Sequence, residues 1–122
     1  MSDASAPSPV DVEAHVAVSA LRILAAAMPS PRPRPLLCIC AWGATGAFAL
    51  ELGAGGRAAS CFEPAPKVRT VVDSTGAGDT FIAASLGAIA LGSTTQEALR
   101  RGCAVAARKV GQEGYDGLAA AW

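Results

Sequence analysis

"VVDSTGAGDTF", residues 71–81, sets three small residues and a carboxylate between an apolar pair and the start of a helical apolar pattern. Val71 and Val72 read as the end of a buried strand, and Phe81, Ile82, Leu86 and Ile89 recur at helical spacing. A strand that passes into a helix near Ala77 leaves the first N–H groups of that helix without intrahelical partners. Gly76, Ala77 and Gly78 have little or no side chain to shield those donors, and the helix dipole adds partial positive charge. The turn therefore suits a phosphate or a developing oxyanion. Asp79 has two readings. As a charge at a helix start it stabilises the helix by roughly 0.3–1 kcal/mol. Beside an anion hole, it can accept the proton of an attacking hydroxyl while the N–H groups hold the phosphoryl group in transfer.

Downstream, the helix that opens at this turn should run to about Leu91 and stop at Gly92. A second helix follows at once. Ser93 with Gln96, or Thr94 with Glu97, supplies a capping box, and Leu99, Cys103, Ala106 and Val110 mark an apolar face until Gly111. Upstream, Ser8, Pro9 and Asp11 signal a helix that runs to about Met28, after a loose tail over residues 1–8. Its apolar residues cover much of the circumference, which implies a helix packed on a sheet with limited exposure; His15 on it reads as a surface or boundary residue. "PSPRPRP" (29–35) is a stiff connector, with a Pro-rich peptide ligand as the competing reading. "LLCICAW" (36–42) reads as a strand covered on both faces of an α/β sheet. "GATGAFALEL" turns into a second strand, and "GAGG" (53–56) joins that strand to "RAASCFE" as a hairpin loop. The same loop spells G-x-G-x-x-A, but no helix follows it, so a dinucleotide-dependent oxidoreductase fails on context.

Composition narrows the function classes. With 122 residues, 52% hydrophobic and 16% charged, the chain can bury the core of one modest domain. Lys plus Arg and Asp plus Glu number 10 each and form no like-charge run, so the electrostatic footprint of a nucleic-acid binder is missing. "AHVAVSALRILAAAM" is interrupted by His15 and Arg22 and falls short of the roughly 20 residues of a membrane span. "MSDASAPSPVD" lacks the basic and apolar regions of a secretory signal, which leads to the expectation of a soluble, cytoplasmic chain. Cys38 and Cys40 share one face of a strand, no C-x-x-C occurs, and a single His is present. Reduced, buried thiols are expected, and no metal site.

"DSTGAGDTF" (73–81) closely resembles the D-T-x-G-A-G-D-x-F signature of the ribokinase-like (PfkB) carbohydrate kinases. "LLCICAWGATGAFAL" and "TQEALRRGCAVAARKVGQEGYDG" also resemble the C-terminal part of members that phosphorylate a ketohexose such as fructose to the 1-phosphate. The likeness covers most of residues 12–118. It implies the C-terminal portion of a ribokinase-like α/β fold, with helices packed on a partial central sheet, in residues 9–122. It also implies that Asp79 is the general base and that Gly76, Ala77 and Gly78 form the anion hole. By the same likeness, Gly43, Ala44, Thr45 and Gly46 and the helix carrying Cys103 flank the adenine of ATP, and Asp73 supports the loop near a monovalent cation such as K+. Cys103 is equally readable as a core residue, and Trp42 as core or as pocket wall.

The resemblance implies a sugar and Mg-ATP as ligands, yet the motif N-x-x-E that serves magnesium cannot be placed, because the chain has no Asn. Ser74 and Thr75 depart slightly from the commonest family residues and keep a hydroxyl at position 74. The sugar-binding N-terminal half and the lid of such kinases are expected to be absent. A sheet edge and helix faces are then left uncovered, the isolated chain is weak or inactive, and no lid-mediated dimer forms. The competing expectation is a non-catalytic remnant that binds a nucleotide or a partner.

Overall fold

A computed structural model describes residues 9–27, 35–53 and 57–121. The elements follow in the order α1 (Pro9–Ala27), β1 (Leu36–Ala41), β2 (Gly46–Leu52), β3 (Ala58–Pro64), α2 (Ala77–Ala90) and α3 (Thr95–Val110), with single 3-10 turns at Gly43–Thr45 and Leu118–Ala121. The 1–8 tail, Ser8 at the helix start, most of the 29–35 connector and the tip of the "GAGG" loop lie outside the described residues.

The three strands form an antiparallel meander in the order β1-β2-β3. Gly53 N–H donates to the Arg57 carbonyl at 2.7 Å, closing the hairpin read from the sequence. Among the described strands β2 is the most enclosed, with Gly46 through Leu50 all buried. The side chains of Ala47 and Ala49 face Phe81 of α2 and Leu99 and Cys103 of α3. Their small size lets the helices approach the sheet closely. Phe48 and Leu50 alternate to the opposite face, and α1, the remaining helix in contact with β1 and β2, covers them. Phe48 stacks on Phe62 there at 4.8 Å between centroids. Cys38 and Cys40 lie in register with Leu50 and Phe48, on one face as their spacing requires.

Three expectations are corrected. The strand at 36–42 is covered on both faces only in part: β1 is an edge strand among the described residues and half-buried along most of its length, with Leu37 and Ile39 against the α2–α3 cluster and α1 in contact with the strand. Helix α1 is not enclosed either. It seats the narrow stripe Ala17, Leu21 and Ala25, while Ile23 is 72% and Leu24 62% exposed, since no described element lies beyond it. The segment 71–72 is not a strand. Val71 and Val72 are exposed, and the N–H groups of Val72 and Asp73 both go to the Val110 carbonyl, at 2.9 and 3.2 Å, instead of to a strand.

Helices α2 and α3 form the tightest contact in the molecule. Of the two capping boxes the sequence allows, Thr94 with Glu97 is the one formed: the Thr94 side chain accepts from the Glu97 N–H at 3.2 Å, and Glu97 Oε2 accepts from the Thr94 N–H at 3.0 Å. From that start, Ala98, Gly102 and Val105 face α2 as a buried stripe. Gly102 lies against Phe81, and a Cβ added there would sit 2.6 Å from two ring carbons. We expect Gly102→Ala to overpack this crossing and to lower stability by about 1–3 kcal/mol. A urea midpoint equal to that of the wild type would show that the helices tolerate a wider spacing.

Candidate functional site

The turn at 73–79 is held from behind and open in front. The carbonyl of Gly76 accepts from both the N–H and the hydroxyl of Thr80, each at 2.9 Å, which fixes the first turn of α2. Gly76 itself adopts a left-handed conformation (φ 74°). A Cβ there would meet the Tyr115 hydroxyl at 2.0 Å, so both the conformation and the space demand glycine. The Ala77 N–H is engaged by the Ser74 carbonyl at 3.2 Å. Among the described residues no acceptor meets the N–H groups of Gly78 and Asp79. A Cβ at Gly78 would meet nothing within 4 Å, so the helix start is approachable from that side. Asp79 lies exposed in the first turn of α2, beside those two donors.

Asp73 anchors the rear of the turn. Its Oδ1 accepts from the Thr75 N–H at 3.0 Å, while its Oδ2 and its carbonyl both accept from Lys109 Nζ at 3.0 Å. The Lys109 ammonium, with help from the Thr75 donor, holds the Asp73 carboxyl well below the usual carboxylate range. The Tyr115 hydroxyl donates to the Thr75 carbonyl at 3.4 Å.

A second loop carries the residues assigned to the nucleotide. Trp42 N–H donates to the Gly46 carbonyl at 2.8 Å, and Thr45 N–H to the Trp42 carbonyl at 3.2 Å, enclosing Gly43 and Ala44 as an exposed 3-10 turn. The turn is tied down on two sides. Ala65 N–H donates to the Thr45 carbonyl at 3.2 Å, and the Thr45 hydroxyl donates to Glu13 Oε2 on α1 at 2.6 Å. Trp42 is half-buried, edge-on to Phe48 with centroids 6.2 Å apart, so one side of its ring belongs to the core.

Cys103 is a core residue, packed with Ala47, Ala49, Phe81 and Leu99. Burial, and secondarily the charge of Glu63, pushes its thiol up to about 11, so it stays protonated at neutral pH. It still borders the second loop at one remove: its Sγ lies 4.0 Å from the Glu63 carbonyl, which also abuts Gly46. The same cluster contains Ala47, one residue past the second loop, and Phe81, two residues past Asp79. The core thereby packs the start of β2 against the start of α2.

Three participants escaped the sequence reading. Lys109 continues the buried stripe Ala98, Gly102, Val105 at helical spacing, and a basic residue on an apolar stripe was the available signal. Tyr115 and Glu13 act through tertiary contacts that no local pattern announces. Among the described residues, no three His, Cys, Asp or Glu side chains gather to hold a metal ion. No described helix is long and apolar enough to cross a membrane.

An antiparallel sheet with helices on both faces, and a glycine turn that opens a helix beside an exposed carboxylate, defines the chain as an α/β protein. The chain belongs to the pfkB family of carbohydrate kinases, whose sequence pattern matches residues 36–119. It is 44% identical over 80 residues to ketohexokinase of Mus musculus, across 66% of this chain and 26% of that protein. Among solved structures it resembles a probable sugar kinase from Rhizobium etli CFN 42, with TM-score 0.60 and 26% identity, over 80% of this chain and 26% of that one. It also resembles ribokinase from Cryptococcus neoformans var. grubii serotype A, solved in complex with ADP, with TM-score 0.55 and 30% identity, over 70% of this chain and 27% of that one. The architecture is therefore a portion of the ribokinase-like fold, as the signature implied, and the chain spans about a quarter of the length of these relatives.

Two substitutions separate the rear of the turn from its front. Gly76→Ala should lower stability by about 1–3 kcal/mol, because it strains the backbone and strikes Tyr115. Gly78→Ala should leave the unfolding midpoint unchanged and weaken anion binding, read by titration with Mg-ATP. The Asp73 pairing also sets an acid response. A carboxylate whose folded value is depressed contributes fully above its unfolded value near 3.9, and that contribution is lost as pH falls through the lower folded value. Between pH 7 and pH 3 the wild type should therefore lose more of its urea midpoint than Asp73→Asn does.

Proposed function

We propose that this chain is the nucleotide-binding and general-base segment of an ATP-dependent sugar kinase, acting on a ketohexose such as fructose to give the 1-phosphate. The observation that carries this reading is the pairing of unengaged N–H donors at Gly78 and Asp79 with the exposed Asp79 carboxylate at the same helix start. Family membership and the likeness to ketohexokinase support it. Asp79 accepts the proton of the sugar hydroxyl as that oxygen attacks the terminal phosphorus. The N–H groups of the turn and the dipole of α2 stabilise the charge on the phosphoryl oxygens. Trp42 and the Gly43–Gly46 turn border the adenine, with the Cys103 helix behind them.

Magnesium, when bound, supplies charge neutralisation between the phosphates. The described residues offer it no carboxylate cluster, so its protein contacts are assigned to none of them. The sugar-recognising surface is likewise assigned to the portion of the relatives that lies outside this match. On that basis the 122-residue chain alone is weakly active or inactive. The shortness of the match equally favours a second reading, a binding remnant without phosphoryl transfer.

Thermal unfolding with and without Mg-ATP tests the site. A ligand at about 100 times its Kd stabilises by roughly 2.7 kcal/mol, so the midpoint should rise with Mg-ATP. Asp79→Asn should keep that rise and lower transfer to fructose by about 10²–10⁴-fold. A midpoint indifferent to Mg-ATP would overturn the nucleotide site. A midpoint that rises while neither protein transfers phosphate would favour the binding remnant.

A further inference from the structure

Lys109 is the one charged residue among those described as fully buried, at 0% exposure, and its position bears on the monovalent cation that the family resemblance implies near Asp73. The oxygens gathered behind the turn are the carbonyl and carboxylate of Asp73 and the carbonyl of Thr75. All are engaged from within the chain. Lys109 Nζ lies 3.0 Å from both the Asp73 carbonyl and Oδ2, Thr75 N–H holds Oδ1 at 3.0 Å, and the Tyr115 hydroxyl lies 3.4 Å from the Thr75 carbonyl. The Tyr115 ring covers the ammonium at 5.1 Å from its centroid, as expected of a cation held against an aromatic face. A free cation seated on the Asp73 oxygens would contact the like charge of the buried Lys109 ammonium. The residues present do not fit one.

An ammonium group and a potassium ion carry the same charge at nearly the same size, and carbonyl and carboxylate oxygens satisfy both. We infer that the Lys109 side chain is a tethered counter-ion that replaces a diffusible monovalent cation behind the 73–79 turn and holds that turn in its anion-accepting shape. The path from ammonium to donors is short and covalent: Asp73 and Thr75 lead directly into Gly76, whose carbonyl fixes the first turn of α2. Lys109 is thus a positioning residue that acts through Asp73. This role deepens the kinase reading and rests on it for its purpose, although the geometry is independent of any nucleotide.

The test compares the wild-type chain with Lys109→Ala, without nucleotide, at fixed ionic strength in potassium, ammonium, lithium or choline chloride. Thermal midpoints and the backbone amide resonances of Gly76 and Gly78 are read in each salt. The wild type should show the same midpoint and the same resonances in potassium as in choline. Lys109→Ala should fall by several degrees in choline, since it leaves a half-buried carboxylate without its partner and empties the space of a buried side chain. Potassium or ammonium, but not lithium, should then restore at least about half of that loss and return the two resonances toward their wild-type positions. Lys109→Met, which keeps most of the stem, should behave in the same way and serves if the Ala variant does not fold in choline.

A wild-type midpoint raised specifically by potassium would overturn the inference. So would variants that lose stability equally in all four salts, or that fold in none, because a plain structural ion pair predicts those results. If Mg-ATP leaves the wild-type chain unmoved while the cation rescue holds, the kinase reading fails and the tethered cation stands. The reverse pair of results would separate the two in the other direction.

Discussion

An ammonium with no access to water must find oxygen acceptors inside the protein, and at the end of α3 the acceptors it finds belong to Asp73. That requirement governs the whole of the 71–79 segment. Val71 and Val72 have no strand to join, so the backbone there is placed by the last turn of α3: Val110 offers its carbonyl to two N–H groups, Lys109 grips Asp73, and Tyr115 closes on Thr75 and Gly76. The front of the turn keeps its donors unengaged because every restraint is applied from behind. Removing Asp73 would leave the buried ammonium without its carboxylate, which is why this pairing is specific.

Small residues set the packing between the sheet and the helices. Ala47 and Ala49 on β2 and Gly102 on α3 let Phe81 and Leu99 pack close, so the start of β2 and the start of α2 share one core cluster. Cys103 completes the cluster as a protonated thiol, and its contact with the Glu63 carbonyl reaches the strand that backs Gly46. The outer surfaces of the helices are built differently. Large apolar side chains are more than half exposed at Ile23 and Leu24 of α1, at Ile82 and Leu86 of α2, and at Leu91 just past it.

Much of this was legible in residue order. The helical spacing after Asp79, the stop at Gly92, the capping signals at residues 93–97 and the paired strands around "GAGG" correspond to observed elements because each is a local property of the backbone. The signature at 73–81 likewise pointed to the family, since a close approach to a helix start restricts which residues can stand there. What was misread depended on partners. "LLCICAW" has the composition of a central strand but lies at an edge, and "VV" has the composition of a strand but pairs with a helix end. Helix α1 is apolar around its circumference, yet only the stripe that meets the sheet is buried. Hydrophobicity states a preference for cover without stating whether cover exists.

By itself the sequence determined where helices start and stop, that a glycine turn would expose backbone donors beside Asp79, and which family the turn resembles, because these follow from local sterics and hydrogen-bonding capacity. Tertiary structure alone decided which of two capping boxes formed, that Cys103 is core, and that Lys109 lies buried against Asp73. The last of these depends on groups that meet across 36 residues of chain. The cost of burying a charge can be offset only by partners that the completed fold brings to it.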